Sequence, residues 1–280
     1  MDPFSHRLAN ALVGNPRHAA TLEVALLGPE IEFDDERVVA VTGAEFALTV
    51  DNGVAPYEQP FVVSAKSRLH FGARSRGARA YLAVDGGFDV PLVLGSRATH
   101  VFSGMGGWMG RALQRGDRVP LGPANSHGRQ RLRRPSTTFS DIMPPAVVRA
   151  LPGPDRHRFV PEATDALQSG PYVISGESDR MGFRLQGPSV RHAQGADIIS
   201  EATPVGSLQV PGSGQPVLLM ADRQTTGGYP KIATVITADI GIAAQAAPGE
   251  VVTFRLCTPS DALAALIARE RRLISIETTS

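Results

Sequence analysis

Short runs rich in Val, Leu, Phe and Tyr, each cut off by Gly, Pro or Asp, fill most of this chain and restrict it to a β-rich fold. "TLEVALLGPEIEF", "RVVAVTGAEFALTV", "PFVVSAKSRLHFG" and "ARAYLAVDGGFDV" follow one another within residues 21–90. "PYVISG", "MGFRLQGPSV", "GSLQVPG", "QPVLLMA", "KIATVIT" and "EVVTFRLC" follow in the second half. Such runs between turn residues read as strands, and strands at this spacing favour a barrel or sandwich over βαβ units. Helical periodicity is confined to the ends. Phe4, Leu8, Ala11 and Leu12 recur at helical spacing, with Asp2 as cap, Pro3 in the first turn and Gly14 as the stop. A second amphipathic helix is predicted from Ser260, its cap, to Leu273, with Leu263, Leu266 and Ile267 as its apolar face.

Between Gly122 and Pro161 the pattern breaks: prolines cluster, basic residues bunch and periodicity disappears. The chain of 280 residues is long enough for two ordinary domains. The expected organisation is an N-terminal lobe over 1–125, a Pro/Arg-rich crossing over 126–160 and a C-terminal lobe over 161–280. "LLGPEIEF" and "RLQGPSVR" form a weak internal echo of strand-Gly-Pro-strand passages.

The bulk numbers exclude several classes. Hydrophobic residues make up 42% and charged residues 20%, as in a folded globular protein. A net charge of +1 gives no strong field towards nucleic acid or membrane. Arg129, Arg131, Arg133 and Arg134 have no interleaved aromatics and read as a solvated linker. The one cysteine, Cys257, excludes an internal disulfide and reads as a buried packing residue. No secretory leader or apolar run of spanning length occurs, so a cytoplasmic location is expected. No phosphate-loop, nucleophile-elbow, zincin or CxxC motif is present, and no Met-Lys-Met-like biotin attachment sequence. The seven histidines are scattered without metal-ligand spacing. An enzyme of this sequence carries no nucleotide loop, metal or tethered cofactor of its own.

Three Gly-rich polar stretches remain. In residues 84–117 paired glycines let backbone N–H groups approach a ligand or another strand, and Ser96, Arg97 and Arg111 add donors. The competing reading is ordinary β-turns with surface charges. In residues 175–188, Arg180 and Arg184 lie four apart, so on an extended chain they share a face and can grip a carboxylate. Pairing with Glu177, Asp179 or other carboxylates is the alternative. The third stretch is "VLLMADRQTTGGYPKIATVI", residues 217–236, with "DIISEATPVGSLQVPGSGQP" before it. Thr225, Thr226 and the Gly227 and Gly228 amides can form a nest for an oxyanion. Lys231 and Arg223 can neutralise a carboxylate, Gln224 can hydrogen-bond an amide or ureido group, and Tyr229 lies beside them. A loop this long and polar in a β-domain is more often functional than idle.

"MDPFSHRLANALVGN", "RAYLAVDGGFDVPLVLGSRATH", "GGWMGRALQRGD", "SDRMGFRLQGP" and "ISEATPVGSLQVPGSGQPVLLMADRQTTGGYPKIATVI" together resemble the KipA / allophanate hydrolase subunit 2 family, from residue 1 to about residue 255. The resemblance implies a mainly β fold of two β-barrel lobes, the C-terminal one cyclophilin-like, with short N- and C-terminal helices. Members begin with a further strand and a TTVQDLGRxG-like segment ahead of the position of Met1. Activity is therefore expected only with partner subunits.

The implied function is that of the C subunit of an ATP-dependent 5-oxoprolinase complex, which opens 5-oxo-L-proline to L-glutamate. Its partners are a KipI-like B subunit and a LamB/YcsF-like A subunit, and the ATP is used by the complex. A biotin-dependent carboxyltransferase component related to urea amidolyase, with biotin on another chain, is the first alternative. A non-catalytic regulatory partner of a KipI-like protein is the second. Lactam opening and carboxyl transfer both need fixed donors and cations around a carbonyl gaining negative charge. On that chemistry the expected catalytic residues are Gln224, Thr225, Thr226 and Lys231. Arg180, Arg184, Arg223, Gly227, Gly228 and Tyr229 are expected to bind substrate, with Ser96, Arg97 and Arg111 secondary.

Overall fold

The computed structural model describes residues 1–124 and 146–278. The chain forms two compact units, Pro3–Asp141 with Arg272–Ser280 and Met1–Asp2 with Ile142–Arg271. Expectations that fall on Arg129, Arg131, Arg133 and Arg134 lie outside the described residues.

The first unit is built on one long antiparallel pair, β3 (Arg37–Val50) and β6 (Arg68–Val84). β1 (Leu22–Ala25) and β2 (Glu30–Glu32) pair with β6, while β4 (Gly53–Val54) and β5 (Phe61–Val63) pair with β3. Side chains alternate across a strand, so Val39 and Val41 enter a core with Phe46, Phe61, Leu69, Phe71 and Leu82. Val38 and Ala40 face the other way, where Ala9 and Val13 cover them together with Tyr81 and Ala83. Ala9 belongs to helix α1 (Pro3–Leu12). Both faces of this sheet are covered, which is why "VVAV" runs apolar without alternation.

Two strands expected on either side of Gly72–Gly77 are one strand of 17 residues. Gly72 keeps it continuous, because a Cβ there would stand 2.9 Å from the Ala47 carbonyl oxygen. Register shifts between Gly43 and Leu48 take up the resulting bulges. The strands of this unit form a six-stranded sheet, so among the described residues one of the two expected barrels is closed.

That barrel is the second unit. Its strands are β7 (Ala146–Pro152), β8 (Tyr172–Ile174), β9 (Gly182–Gln186), β11 (Ser207–Gln209), β12 (Val217–Leu219), β14 (Lys231–Val235) and β15 (Val251–Leu256). They close in the order β11-β12-β9-β8-β15-β7-β14, with β14 pairing back onto β11. Every pairing is antiparallel except β7 with β15. Val148, Tyr172, Phe183, Leu208, Leu218, Ile232 and Phe254 fill the interior. Burial raises the Tyr172 phenol to about 12, and its hydroxyl donates to the Pro188 carbonyl at 2.9 Å.

β7 lies inside the stretch expected to be a crossing. Its prolines hide a short, mostly apolar run, Ala146 to Leu151, whose Val148 and Ala150 are fully buried. Arg149 then clamps the buried Asp239 with two hydrogen bonds, at 2.9 and 2.7 Å. Cys257, expected to be buried, is half-buried just past β15, and burial raises its thiol, so it is no ready thiolate.

The C-terminal helix runs from Pro259 to Thr278, longer than predicted at both ends. Its cap is Thr258 rather than Ser260. Thr258 Oγ1 accepts from the Asp261 N–H at 3.2 Å, and Asp261 Oδ2 accepts from the Thr258 N–H at 3.0 Å. The expected apolar face is not buried, since Leu263 and Ile267 are exposed. The helix is anchored further along, where Leu273 packs with Leu8, flanked by Phe4, Leu12 and Ile276. No helix of the described residues is long and apolar enough to cross a membrane. The barrel core gives a direct test. Leu208→Ala is expected to cost roughly 2–5 kcal/mol in chemical denaturation of the barrel, and a cost under about 1 kcal/mol would contradict this packing.

Candidate functional site

Beside the barrel stands a two-stranded ribbon, β10 (Glu201–Ala202) against β13 (Thr226–Gly227). It contains the polar loop singled out in the sequence. Thr203 ties its two limbs together: its N–H donates to the Thr225 carbonyl at 3.0 Å and its hydroxyl to the Gln224 carbonyl. The Thr203 carbonyl in turn accepts from Arg223 Nε at 2.7 Å. Ile198 N–H donates to the Gly228 carbonyl at 2.9 Å. Gln209, buried on β11, reaches out of the barrel and donates through Nε2 to the Tyr229 carbonyl at 3.2 Å.

The glycines of this loop serve close approach. Neither Gly227 nor Gly228 has a positive φ, so the turn geometry of an anion nest is not formed there. A Cβ on Gly227 would lie 2.6 Å from Gln209 Nε2 and 3.1 Å from the Thr203 methyl. Glycine at 227 lets the ribbon lie against the barrel.

Lys231 is turned onto carboxylates of this chain. It is 2% exposed, and its ammonium lies 3.0 Å from Asp155 Oδ2 and 3.0 Å from Glu201 Oε2. Its backbone N–H donates to the same Asp155 oxygen at 2.9 Å. Burial alone would lower the ammonium's pKa, but the bonds to Asp155 and Glu201 outweigh it and the net shift is upward. Lys231 therefore stays charged at neutral pH and is unsuited to act as a base. It bridges a barrel-side carboxylate and a ribbon carboxylate.

The two arginines of the second stretch part company. Arg180 sits in a bend before β9, not on an extended strand, and pairs with Asp222 through Nε at 2.9 Å and Nη2 at 3.3 Å. Arg184 is on β9, exposed, with Nε 3.6 Å from Glu177. Each has its own carboxylate, and the shared grip expected from their spacing is absent. The bend at Arg180 removes the extended geometry on which that expectation depended.

Ser96, Arg97 and Arg111 lie in the other unit and hold their own loop. Ser96 Oγ accepts from the Ala98 N–H at 3.1 Å, and Arg97 donates to the Val90 carbonyl. Arg111 clamps Asp117 with bonds of 2.7 and 2.8 Å. That clamp lowers the Asp117 carboxyl to about 2 and raises the guanidinium. Asn15 fixes the first Gly pair, its Oδ1 accepting from the Gly86 N–H at 3.0 Å.

What remains open to solvent on the ribbon is a set of donors. Gln224, Thr225 and Thr226 are exposed, and their side chains make no hydrogen bond among the described residues. Tyr229 is exposed beside them, and the half-buried Arg223 commits its Nε. Among the described residues no imidazole or carboxylate is bonded to either threonine, so neither hydroxyl has the base that a nucleophile needs. Asp155, Glu201, Thr203 and Gln209 were not among the residues expected here. Glu201, Thr203 and Gln209 lie in the segment preceding the polar loop that the sequence had set beside it, and Asp155 lay in the proline-rich stretch.

Two outcomes are expected. Lys231→Met leaves Asp155 buried beside no cation and costs roughly 3–5 kcal/mol. Glu201→Gln, at a half-exposed carboxylate, costs under about 1 kcal/mol; equal costs in denaturation would refute the bridge. The Asp117 carboxylate, whose pKa falls on folding, stabilises its clamp above the ordinary value of 3.8 and loses that contribution as pH falls through about 2. A carboxyl titration by NMR placing Asp117 near 3.8 would show the clamp to be open.

Comparison with known proteins adds a second line of evidence. The chain is 37% identical to the 5-oxoprolinase C subunit of Escherichia coli K12 over 271 residues, 97% of this chain and 86% of that protein. It superposes on the crystal structure of K. lactis urea amidolyase with a TM-score of 0.90 at 27% identity, covering 99% of this chain but 18% of that one. On the crystal structure of TTHA0988 the TM-score is 0.78 at 37% identity, with 91% of this chain and 49% of that chain covered. The chain thus spans a minor part of the urea amidolyase and about half of TTHA0988. Residues 1–256 match the model of the carboxyltransferase domain, subdomain A and B, and the chain belongs to that family.

Proposed function

We propose that this chain is the C subunit of an ATP-dependent 5-oxoprolinase complex, and that the ribbon segment Arg223–Tyr229 handles the lactam carbonyl of 5-oxo-L-proline. The observation that carries this reading is identity. The chain is 37% identical, over 97% of its residues, to a relative named as the C subunit of a 5-oxoprolinase, against 27% identity to the urea amidolyase whose fold it shares. Ring opening breaks the lactam C–N bond; water supplies the oxygen of the new carboxylate and the proton on the new amine.

The exposed Gln224 amide and the Thr225 and Thr226 hydroxyls suit an oxygen that gains charge as the lactam carbonyl is attacked. The free end of the Arg223 guanidinium suits the substrate carboxylate, since its Nε is already fixed on Thr203 and the group is preorganised. Lys231, Asp155 and Gln209 act through the ribbon, as positioning residues. Arg180 and Arg184, with carboxylate partners already, shape the neighbouring strand. The same amide and hydroxyls fit a ureido oxygen, so the shared fold with urea amidolyase supports a second reading, carboxyl transfer with biotin held on another chain. In either case ATP is used elsewhere in the complex, whose other members are one KipI-like and one LamB/YcsF-like protein.

The test is glutamate release from 5-oxo-L-proline and ATP by the partner subunits, with and without this chain. Release only in its presence is expected, and equal release would overturn the reading. Within an active complex, Gln224→Ala with Thr225→Ala is expected to lower kcat by roughly 10²-fold; full activity would move the carbonyl site elsewhere.

A further inference from the structure

We propose that the loop of residues 92–113 is a docking surface for a partner protein of the complex, one that offers an apolar recess edged by carboxylates. The inference rests on the reading of this chain as one member of a protein complex. Leu92, Leu94, Val101, Phe102, Met105, Met109 and Leu113 are all exposed, and Leu94 and Phe102 are each 92% exposed. Apolar side chains scattered singly over a surface need no explanation, but seven within one short loop do.

The loop is rigid by construction. Phe102 stands at the middle of a single 3-10 turn, Val101–Ser103, closed by Gly104 in the left-handed region. His100 and Met105 exchange backbone bonds of 2.8 and 3.2 Å across that turn. Gly107 and Gly110 have positive φ, and a Cβ on either would strike Thr99 or the Gly104 carbonyl oxygen at 1.8 and 2.0 Å. The loop is thus knotted on itself by backbone contacts, with its large apolar side chains pointing away from the knot. Leu94 and Met109 also hold positive φ without being glycine, a strained conformation for an L side chain. Strain at two exposed apolar residues is the pattern of a preformed binding surface, where ordering is completed before association.

Charge selects the occupant. Of the two arginines inside the loop, Arg111 is neutralised by Asp117, while Arg97 is held in place by the Val90 carbonyl and keeps its charge. Arg115, at the edge, is exposed and has no partner among the described residues. An apolar centre with two uncompensated guanidiniums beside it matches a protein face of apolar core and acidic edge. A lipid surface would ask for a larger cluster of free cations than these two. The family supplies the setting, since the matched part of TTHA0988 is 49% of a chain and so continues into as much protein again.

The test is association of this chain with the purified partner proteins proposed above, by titration calorimetry and gel filtration. Phe102→Asp is expected to weaken binding at least about 100-fold, and Met109→Gln about tenfold, with thermal unfolding unchanged. Val54→Asp, at an equally exposed apolar residue of the same unit, is expected to bind as the unaltered chain does. Added salt is expected to weaken the unaltered chain more than Arg115→Ala. Full binding by Phe102→Asp and Met109→Gln would overturn the docking surface while leaving the complex intact. Failure of the unaltered chain to bind would overturn the complex itself, and the docking surface with it.

Discussion

The Lys231 ammonium, nearly sealed from water, holds one carboxylate beside the barrel and one on the ribbon, and the candidate site depends on that bridge. The Lys231 backbone N–H binds the same Asp155 oxygen, so Asp155 fixes both the start of β14 and the charge at its first side chain. Two carboxylates on one ammonium compensate its burial, and their unequal exposure divides the work. Asp155 satisfies the buried side, while Glu201 carries the constraint outward to the ribbon. Thr203 and Gln209 complete the hold through the backbone carbonyls of Gln224, Thr225 and Tyr229. The side chains of Gln224, Thr225 and Thr226 thereby stay exposed and uncommitted among the described residues, because the ribbon is held through its backbone carbonyls.

Glycine does two different jobs in this molecule. At Gly227 it removes a Cβ so that an extended ribbon can lie on Gln209, with ordinary backbone angles. At Gly107 and Gly110 it supplies left-handed turns that fold a loop onto itself. Both look alike in sequence, as paired or closely spaced glycines among polar residues. Only the backbone angle separates a strand that needs room from a loop that needs to reverse.

Cations show the same ambiguity. Every arginine or lysine expected to face a ligand, apart from Arg223 with its half-free guanidinium, already has a carboxylate or carbonyl of this chain. Their types and approximate locations are right for anion chemistry, yet a protein interior must neutralise its own cations first. Which cation is left over depends on the carboxylates that the fold delivers. Two came from far along the chain, Asp155 to Lys231 and Asp222 to Arg180, and two from nearby, Asp117 to Arg111 and Glu177 to Arg184.

The β-rich class, the two terminal helices and the polar loop at 222–231 were legible in the sequence, because strand runs, turn residues and helix caps are local signals. The resemblance of its motifs to one family was legible for the same reason. Tertiary structure alone decided that β7 belongs to the barrel, since a strand between prolines is recognisable only by its partners β14 and β15. It decided that the C-terminal helix is anchored at Leu273 rather than along Leu263 and Ile267, since amphipathic spacing marks a face without saying what covers it. It decided, finally, that the Lys231 ammonium is buried between Asp155 and Glu201. The burial and pairing of Lys231 are set by residues distant in sequence, and no local pattern encodes which of them meet.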